Sequence, residues 1–485
     1  MFTNAPVSLV FPGDPGAPRG VNFPQTKNFG PRFGFAWDPK GNGKTSIRGG
    51  AGIFYDVLKG EDNLQFNGQP PFFSSAGLFL PAVGPGQVGP IGSFQDPFGV
   101  AGVPDPFPST PPSHDLDFAA AGFLPLNSGG SVYYVNPHLH TPYTYQYNLS
   151  VQRQIAPSTV AEINYVGSSS KGLTGLEDVN PFILGTDTRV LNAIPQTNPG
   201  IQAYCAGDAA ECPFATAPEF NNVGFANFNS LEASLTRSPI DNHVIGTTYF
   251  TLAYTYGRGI DTSSGFQNRT SQVPYYNIQQ FRAVSDSNVT HRITMSGGWD
   301  LPFDRKWESG PKRLTKGWSL YPIFTFRTGF PLSLPAYFPD RYDPTDPGPS
   351  GAGDPYVVNV LFAAGYTKLQ RENPKTSLNN TYFNPNGIDY NEGDYAGAPA
   401  QFAKYGLPRN FFYGPGRVNL DLALAKKTNI TERVDLEFRA EAFNVFNHTE
   451  FSNPNVNPYS GVYGQITNTI FDSARVVQLA LRLGF

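Results

Sequence analysis

The chain of 485 residues has a formal net charge of -4, and 15% of its residues are charged while 14% are aromatic. Its 51 Gly and 46 Pro interrupt helical patterns almost everywhere, whereas its 40 Phe and 25 Tyr are too many for a disordered protein. No basic stripe offers phosphate contacts, so we expect no nucleic-acid partner; the composition indicates many strands joined by turn-rich loops.

Residues 1–30 are predicted to be an irregular lead-in that belongs to a preceding loop, so that residues 31–485 form the structured domain. The segment Met1–Gly13 has neither the basic nor the apolar region of a secretory signal peptide. Two explanations remain open: the chain starts inside a longer gene, or the protein is not exported. The strand pattern that follows favours the first.

Alternation with a period of two residues identifies the strands, because it places alternate side chains on opposite faces. In Thr141–Arg153 the odd positions from Tyr143 to Val151 are apolar or aromatic, and the intervening positions are polar. The pattern returns in Arg417–Lys427, Arg433–Glu441 and Arg475–Phe485. Eleven strands are predicted, with weaker ones left open in the gaps, at about 32–37, 45–56, 141–153, 158–166, 229–237, 246–256, 291–301, 317–327, 417–427, 433–446 and 475–485.

Strand length and connection length distinguish a membrane protein from a soluble sandwich, which also alternates. Most predicted strands have the roughly 9–11 residues that cross a bilayer at a tilt, whereas ordinary strands average about five or six. Short and long connections also alternate, as they do in bacterial barrels with periplasmic turns and extracellular loops. The short ones are Asp38–Lys44, Gln154–Pro157, Ser238–Ile245, Pro302–Lys316 and Thr428–Glu432, and the long ones fill 57–140, 167–228, 257–290, 328–416 and 447–474.

The sequence therefore predicts an all-β fold, an antiparallel transmembrane β-barrel with long extracellular loops. The first predicted strand runs into a short turn and the last follows a long loop, so both run towards the periplasm. Such a set has an odd number of strands, whereas single-chain bacterial barrels have even numbers. Because an unpaired backbone group in lipid costs several kcal/mol, we expect a partial barrel of about 11 or more strands.

The two faces of the strands have different predicted environments. An Arg or Lys on the lipid face costs about 2–4 kcal/mol at the midplane, so the charged face should point into the lumen. The predicted lipid-facing residues are Tyr145, Tyr147, Leu149, Leu420, Leu422, Leu436, Phe438, Leu479, Leu481 and Leu483. The predicted lumen-facing residues are Glu162, Glu232, Arg292, Arg327, Asp421, Arg433, Asp435, Glu437, Arg439 and Glu441. These could line a hydrated path beside a plug, or form an ion network that holds the wall in shape.

Candidate sites for chemistry are weak. The segment Gly41–Thr45 resembles part of a phosphate-binding loop, but Asp38 stands where a Gly is needed, so it is interpreted as a hairpin turn. His138 and His140 lack neighbouring metal ligands, and the acids of Asp340–Asp354 lack the spacing of a helix-loop-helix calcium site. No catalytic motif occurs, so we predict no catalytic residues, no enzyme activity, no metal and no cofactor.

The two cysteines, Cys205 and Cys212, lie seven positions apart in a polar loop. In an oxidising compartment they could form a small disulfide-closed loop, and two unpaired thiols are the alternative. Neither state implies catalysis.

Several segments resemble the barrel of Oar-like TonB-dependent transporters. They include PRFGFAWDPKGNGKTSIRGGAGIFYD (Pro31–Asp56), PYTYQYNLSVQRQIAPSTVAEINYVGS (Pro142–Ser168), GPGRVNLDLALAKKTNITERVDLEFRAEAFNVFNHTEF (Gly414–Phe451) and the terminal LALRLGF. The resemblance covers most of the chain from Pro31 onward, and the long loops match least. It implies the C-terminal half of a 22-stranded barrel, without the plug and the TonB box that such proteins carry towards their N-termini.

The resemblance also implies a function and a set of partners. The expected function is uptake of a saccharide, peptide or metal chelate across the outer membrane of a Gram-negative cell. The expected partners are outer-membrane lipid, a plug domain, TonB and an unknown small substrate. The terminal Phe485 matches the signal by which the barrel assembly machinery recognises its clients. A secreted β-rich binding or adhesion module and a β-rich hydrolase are the alternatives.

Overall fold

The computed structural model describes most of the chain, with gaps chiefly in the long connections. The described residues are 2–20, 22–57, 71–72, 112–121, 123–126, 133–180, 188–207, 212–215, 217–264, 273–274, 282–334, 361–363, 365–389, 409–457, 460–471 and 473–485. The acidic segment Asp340–Asp354 lies outside them.

One antiparallel sheet runs through the described residues and contains eleven long strands in chain order, each paired with the next. Over the predicted part of the strands, alternating residues give the sheet one polar and one apolar face. The strands are β1 Arg32–Trp37, β2 Thr45–Tyr55, β3 Tyr143–Ala156, β4 Thr159–Asp178, β5 Pro218–Asn242, β6 Gly246–Asp261, β7 His291–Leu301, β8 Trp318–Arg327, β9 Arg417–Asn429, β10 Asp435–Phe443 and β11 Val476–Gly484. The sheet is not closed, since β1 and β11 form its two edges.

Short elements decorate the connections. Two-residue strands at Tyr134–Val135, Val273–Pro274 and Ala283–Val284 join the margins of the sheet, and Pro331–Leu332 pairs with Phe412–Tyr413 and Leu361–Phe362 with Ile388–Asp389. The helical segments are Pro199–Cys205, Phe303–Lys306, Lys312–Thr315, Leu378–Asn380 and Pro385–Gly387. None of the helices in the described residues is long and apolar enough to cross a membrane.

All eleven predicted strands occur, but two of them are much longer than predicted. β4 continues beyond the predicted end near residue 166 to Asp178, and β5 starts at Pro218 rather than near residue 229. The added segments, residues 167–178 of β4 and 218–228 of β5, pair with each other as far as Asp178 and Pro218. This two-stranded ribbon is here called the β4–β5 extension. The sequence of this ribbon does not alternate. Its backbone hydrogen bonds hold the two strands together, and neither face is apolar along its whole length. It projects beyond the roughly 9–11 residues that cross a bilayer.

The β9–β10 hairpin also differs from its prediction, because the second strand, predicted at 433–446, is shorter. β10 begins at Asp435, so Arg433 lies in the preceding turn and not on the polar face of a strand. The Thr431 hydroxyl oxygen accepts hydrogen bonds from the backbone N–H groups of Arg433 (3.3 Å) and Val434 (3.1 Å). This turn chemistry competes with strand pairing, and alternation alone could not reveal it.

The turn between β1 and β2 is built around Asp38. Its carboxylate accepts hydrogen bonds from the backbone N–H groups of Gly43 (2.6 Å) and Lys40 (3.1 Å). These bonds, led by that from Gly43, hold the pKa of Asp38 below its ordinary value. Gly41 and Gly43 have φ angles of 60° and 69°, a conformation that favours glycine. The segment is a hairpin turn rather than a phosphate-binding loop.

Among the described residues, the two larger packed hydrophobic cores lie among the long connections, and a smaller one includes residues at the paired ends of β4 and β5. The first, here the N-terminal cluster, joins the start of the chain to two connections and consists of Phe2, Phe118, Leu124, Leu126, Ile201 and Phe214. The second, here the C-terminal cluster, consists of Leu334, Tyr382, Phe383, Ile388, Phe412 and Ile466. A third, smaller one contains Leu139, Leu176 and Phe220. Residues 2–11, which the sequence predicts as an irregular lead-in, therefore pack into a loop core.

Candidate functional site

The pairing register brings the predicted polar residues of the strands to one face of the sheet. Glu162 and Glu232 flank one another through the pairs Glu162↔Ser234 and Asn164↔Glu232. Arg292 lies opposite Arg327, and Asp421 lies opposite Ile323 on the neighbouring strand. Following the register strand by strand places these residues on the same face as Asp435, Glu437, Arg439 and Glu441. That this face is the lumen stays a prediction.

The opposite face carries the residues predicted to meet lipid. The pairs Leu422↔Ala442, Leu436↔Leu483 and Phe438↔Leu481 run across β9, β10 and β11 on this face. Leu479 and Leu481 expose 67% and 69% of their surface, and Leu149 exposes 49%. Apolar side chains this exposed require an apolar environment, which lipid would supply.

Many acids of the polar face hydrogen-bond to neighbouring strands or residues. Ser150 Oγ donates to Glu162 Oε1 (2.8 Å), and Asn164 Nδ2 donates to Glu232 Oε2 (3.3 Å). Farther along the sheet, Arg439 Nε donates to Glu441 Oε1 (2.6 Å). Lys427 Nζ lies 3.3 Å from Asp435 Oδ2. Part of the polar face is thus held by side-chain hydrogen bonds and ion pairs, most of them between neighbouring strands.

Three arginines form a different arrangement at one end of this face. Arg292 lies directly opposite Arg327, and Arg327 lies directly opposite Arg417 on the next strand. The Arg327 guanidinium carbon lies 4.3 Å from the centre of the Phe330 ring. Alternation places Arg417 on the polar face, but the sequence prediction does not select it. Only the register shows that these three residues form one row.

The β4–β5 extension, outside the part of the strands that would cross a bilayer, carries two facing carboxylates. Glu177 lies opposite Glu219 in the register. Burial raises the pKa of Glu219 to about 7; the charge of Glu177 adds to this rise, and a hydrogen bond from Asn136 opposes it. Burial also raises the pKa of Glu177, against a hydrogen bond from Asn221. Sequence patterns gave no sign of this pair, because the segment does not alternate.

A buried polar group holds the connection after β4. Asn180 is fully buried; its side chain donates to the carbonyl of Ala215 (2.6 Å) and accepts from the backbone N–H of Leu191 (2.7 Å). The fully buried Arg189 donates to the Asn180 carbonyl (3.0 Å) and lies 3.9 Å from the Asp178 carboxylate. These hydrogen bonds satisfy buried polar groups of the connection without water.

One disulfide and two ion pairs also hold the connections. Cys205 and Cys212 are joined in a disulfide, with their Cα atoms 5.3 Å apart. The largely buried Arg409 forms ion pairs with Asp261 and, at 2.8 Å, with Asp286. These pairs hold the connection before β9 against the end of β6 and against the connection between β6 and β7. The long connections are therefore ordered surfaces where the structure describes them.

The remaining candidates show packing contacts. The His138 ring stacks on Phe23 with ring centres 5.1 Å apart, and the backbone N–H of His140 donates to Asn222 Oδ1 (2.7 Å). Across the described part of the chain, no group of three or more His, Cys, Asp or Glu side chains could hold a metal ion. Phe485 follows the end of β11 and is 96% exposed.

Comparison with solved structures gives distant likenesses. The outer membrane transporter YddB from Escherichia coli is 11% identical with a TM-score of 0.44, over 94% of this chain and 40% of its own. The siderophore receptor PirA from Acinetobacter baumannii is 11% identical with a TM-score of 0.39, over 94% and 41%. A variant of the ferric enterobactin receptor PfeA from Pseudomonas aeruginosa is 12% identical with a TM-score of 0.38, over 94% and 40%. This chain thus spans about two fifths of their length.

Comparison with protein families gives the assignment. A search among curated proteins finds no match. The sequence model of the outer membrane beta barrel domain matches residues 1–478, nearly the whole chain. This assignment, with the antiparallel sheet, stands against the alternative of a secreted binding module. The chain belongs to the outer membrane beta barrel domain family, and its location is the cell outer membrane.

Proposed function

We propose that this chain forms the C-terminal part of the barrel of an Oar-like TonB-dependent transporter, with residues 31–485 as barrel and residues 1–30 as part of a preceding loop. The observation that carries the proposal is the direction of the two edge strands. β1 runs into a short turn and β11 follows a long connection, so both run towards the periplasmic side. Eleven successive antiparallel strands give the same result, since the first and eleventh are parallel.

Closing this sheet on itself would bring β1 and β11 together as parallel neighbours. A second copy arranged about an axis along the membrane normal would meet the same difficulty at both junctions. A further segment with an odd number of strands, whose first and last strands run away from the periplasm, would complete the barrel. The total number of strands is then even, and every neighbouring pair is antiparallel. The barrel must close because each unpaired backbone group at an open edge in lipid costs several kcal/mol of free energy.

In this proposal the barrel is the fixed wall of a gated path. A plug domain supplied by the N-terminal part of the protein blocks the lumen, and TonB displaces it with energy from the inner membrane. The long connections 57–140, 167–228 and 328–416 capture a nutrient, which is a saccharide, peptide or metal chelate. The cell's barrel assembly machinery inserts the wall through the segment that ends at Phe485. We assign no catalytic role.

The test is fractionation of cells that express the native locus, followed by electrophoresis with and without boiling. A folded membrane barrel migrates differently when it is boiled, because detergent alone does not unfold it. We expect an outer-membrane band larger than the 52.8 kDa of this chain, with a shift on boiling. A soluble band of the size of this chain would contradict both the barrel and the transporter proposals.

A further inference from the structure

The row of Arg292, Arg327 and Arg417 is a concentration of like charge that forms no ion pair within the described part of the chain. Directly opposite residues on neighbouring strands have Cβ atoms about 4.5–5.5 Å apart, and like charges there are destabilising. Among the described residues, none of the three guanidinium groups has a carboxylate within 4.0 Å. This contrasts with Arg439 on the same face, which is paired with Glu441.

The carboxylates around the row are already engaged. Glu450 is buried, and its Oε1 accepts from the backbone N–H of Val418 (3.0 Å) and lies 3.0 Å from His448 Nδ1. Asp421 Oδ1 accepts from the Asn419 side chain (2.9 Å) and from the backbone N–H of Asn444 (2.8 Å).

Glu232 is separated from Arg292 by the strand that carries Thr255 and accepts a hydrogen bond from Asn164. Within the part of the chain that the structure describes, three cations therefore face few available anions.

The position of the row gives it access from the loop side. Arg327 ends β8, Arg417 begins β9 and Arg292 is the second residue of β7, all at the ends that lead into long connections. Arg292 is exposed, and Arg327 and Arg417 are half-buried. A Cβ added to Gly329 would overlap the Gly414 carbonyl, so the two ends of one connection cross closely beside the row.

We propose that this arginine row binds a molecule with two or more anionic groups, carboxylate or phosphate, during its passage into the barrel. The inference rests on the proposed function, since it requires the polar face to line the transport path. Each guanidinium presents a planar fork that matches a carboxylate or phosphate. Three neighbouring strands span about 10 Å, so the row fits several anionic groups on one molecule. Bound anions also relieve the repulsion between the arginines.

The experiment uses the detergent-extracted native protein, after it has shown the outer-membrane location and the shift on boiling. Isothermal titration calorimetry with citrate, inorganic phosphate and neutral sucrose measures binding. We expect saturable citrate binding that exceeds phosphate binding, weakens with added salt and is absent for sucrose. Each of Arg292→Gln, Arg327→Gln and Arg417→Gln should weaken citrate binding about tenfold, and the triple variant should abolish it.

Arg482→Gln is the matched control, because Arg482 lies on the same face near the other end of a strand, opposite Glu437. Its citrate affinity should equal that of the unchanged protein. An equal loss in Arg482→Gln would overturn the inference, as would unchanged binding in the triple variant or no citrate binding by the correctly located protein. A protein that fails the location and boiling tests would instead contradict the proposed function.

Discussion

At the scale of single residues, the facing carboxylates of the β4–β5 extension make this ribbon sensitive to pH. Glu219 has a folded pKa of about 7 against an ordinary value of 4.5, because burial disfavours its charged form. The folded state therefore holds a proton that the unfolded chain releases. The contribution of this group to the stability of the ribbon is therefore fully present below about pH 4.5 and is lost as the pH rises through about 7. The neighbouring charges are Glu177 and Asp178, with Arg189 beside the latter.

Glu219→Gln should remove much of this pH dependence and stabilise the extension at pH 8 by roughly 1–2 kcal/mol, allowing for its partial exposure. Hydrogen exchange at residues 217–220, measured from pH 4.5 to 8, reports the change. Glu308→Gln is the control, because Glu308 is exposed in the connection between β7 and β8. Equal pH dependence in Glu219→Gln and the unchanged protein would show that the pair does not control the ribbon.

At the scale of the elements, each strand is a two-faced unit, and we predict that its apolar face meets lipid. Leu479 and Gln478 are adjacent on β11 and point to opposite faces, opposite Ala440 and Glu441 of β10. A charge therefore has different consequences at two positions that differ by one residue. The same logic holds on β9, where the face of Leu420 and Leu422 alternates with that of Asn419 and Asp421.

Leu479→Arg should lower the free energy of unfolding in lipid vesicles by about 2–4 kcal/mol, because it places a charge near the centre of the lipid face. Gln478→Arg should have little effect, since it adds a cation opposite Glu441 on the polar face. Urea titration, followed by the fraction that resists unfolding before boiling, measures both. Similar losses in the two variants would argue against a lipid-facing β11.

At the scale of the whole molecule, two separate sets of contacts hold the fold together, one in the sheet and one in the connections. The sheet is held by strand pairing, while the N-terminal and C-terminal clusters lie among the long connections. The disulfide is part of the contacts in the connections, because Cys205 packs against the N-terminal cluster. Damage to the connections should thus leave the wall intact.

The double variant Cys205→Ser/Cys212→Ser should keep the shift on boiling and yet be cleaved faster by protease within residues 188–217. Loss of the cross-link widens the set of unfolded states of this connection. Ala206→Ser, an exposed change beside the disulfide, should be cleaved at the original rate. Loss of the boiling shift in the double variant would mean that the wall depends on this connection.

The amino-acid pattern alone was enough to predict the strands, their alternating faces and the alternation of short and long connections. These are local properties: the period of two in Tyr143–Val151 or Leu420–Leu424 follows from the geometry of an extended chain, whatever its neighbours are. It therefore indicated a membrane barrel and the two faces, including the positions of Arg292 and Arg327. It misplaced Arg433, because turn hydrogen bonds compete with pairing there.

Which residues contact one another could be read only from the folded sheet. Arg327 and Arg417 lie on strands separated by a long connection, and register between such strands is set by pairing along their whole length, which no single segment encodes. The long β4–β5 extension, its Glu177 and Glu219 pair and the packing of Phe2 with Phe118 and Ile201 have the same origin. They depend on contacts between segments that are distant in sequence, so the arginine row became visible only in the folded sheet.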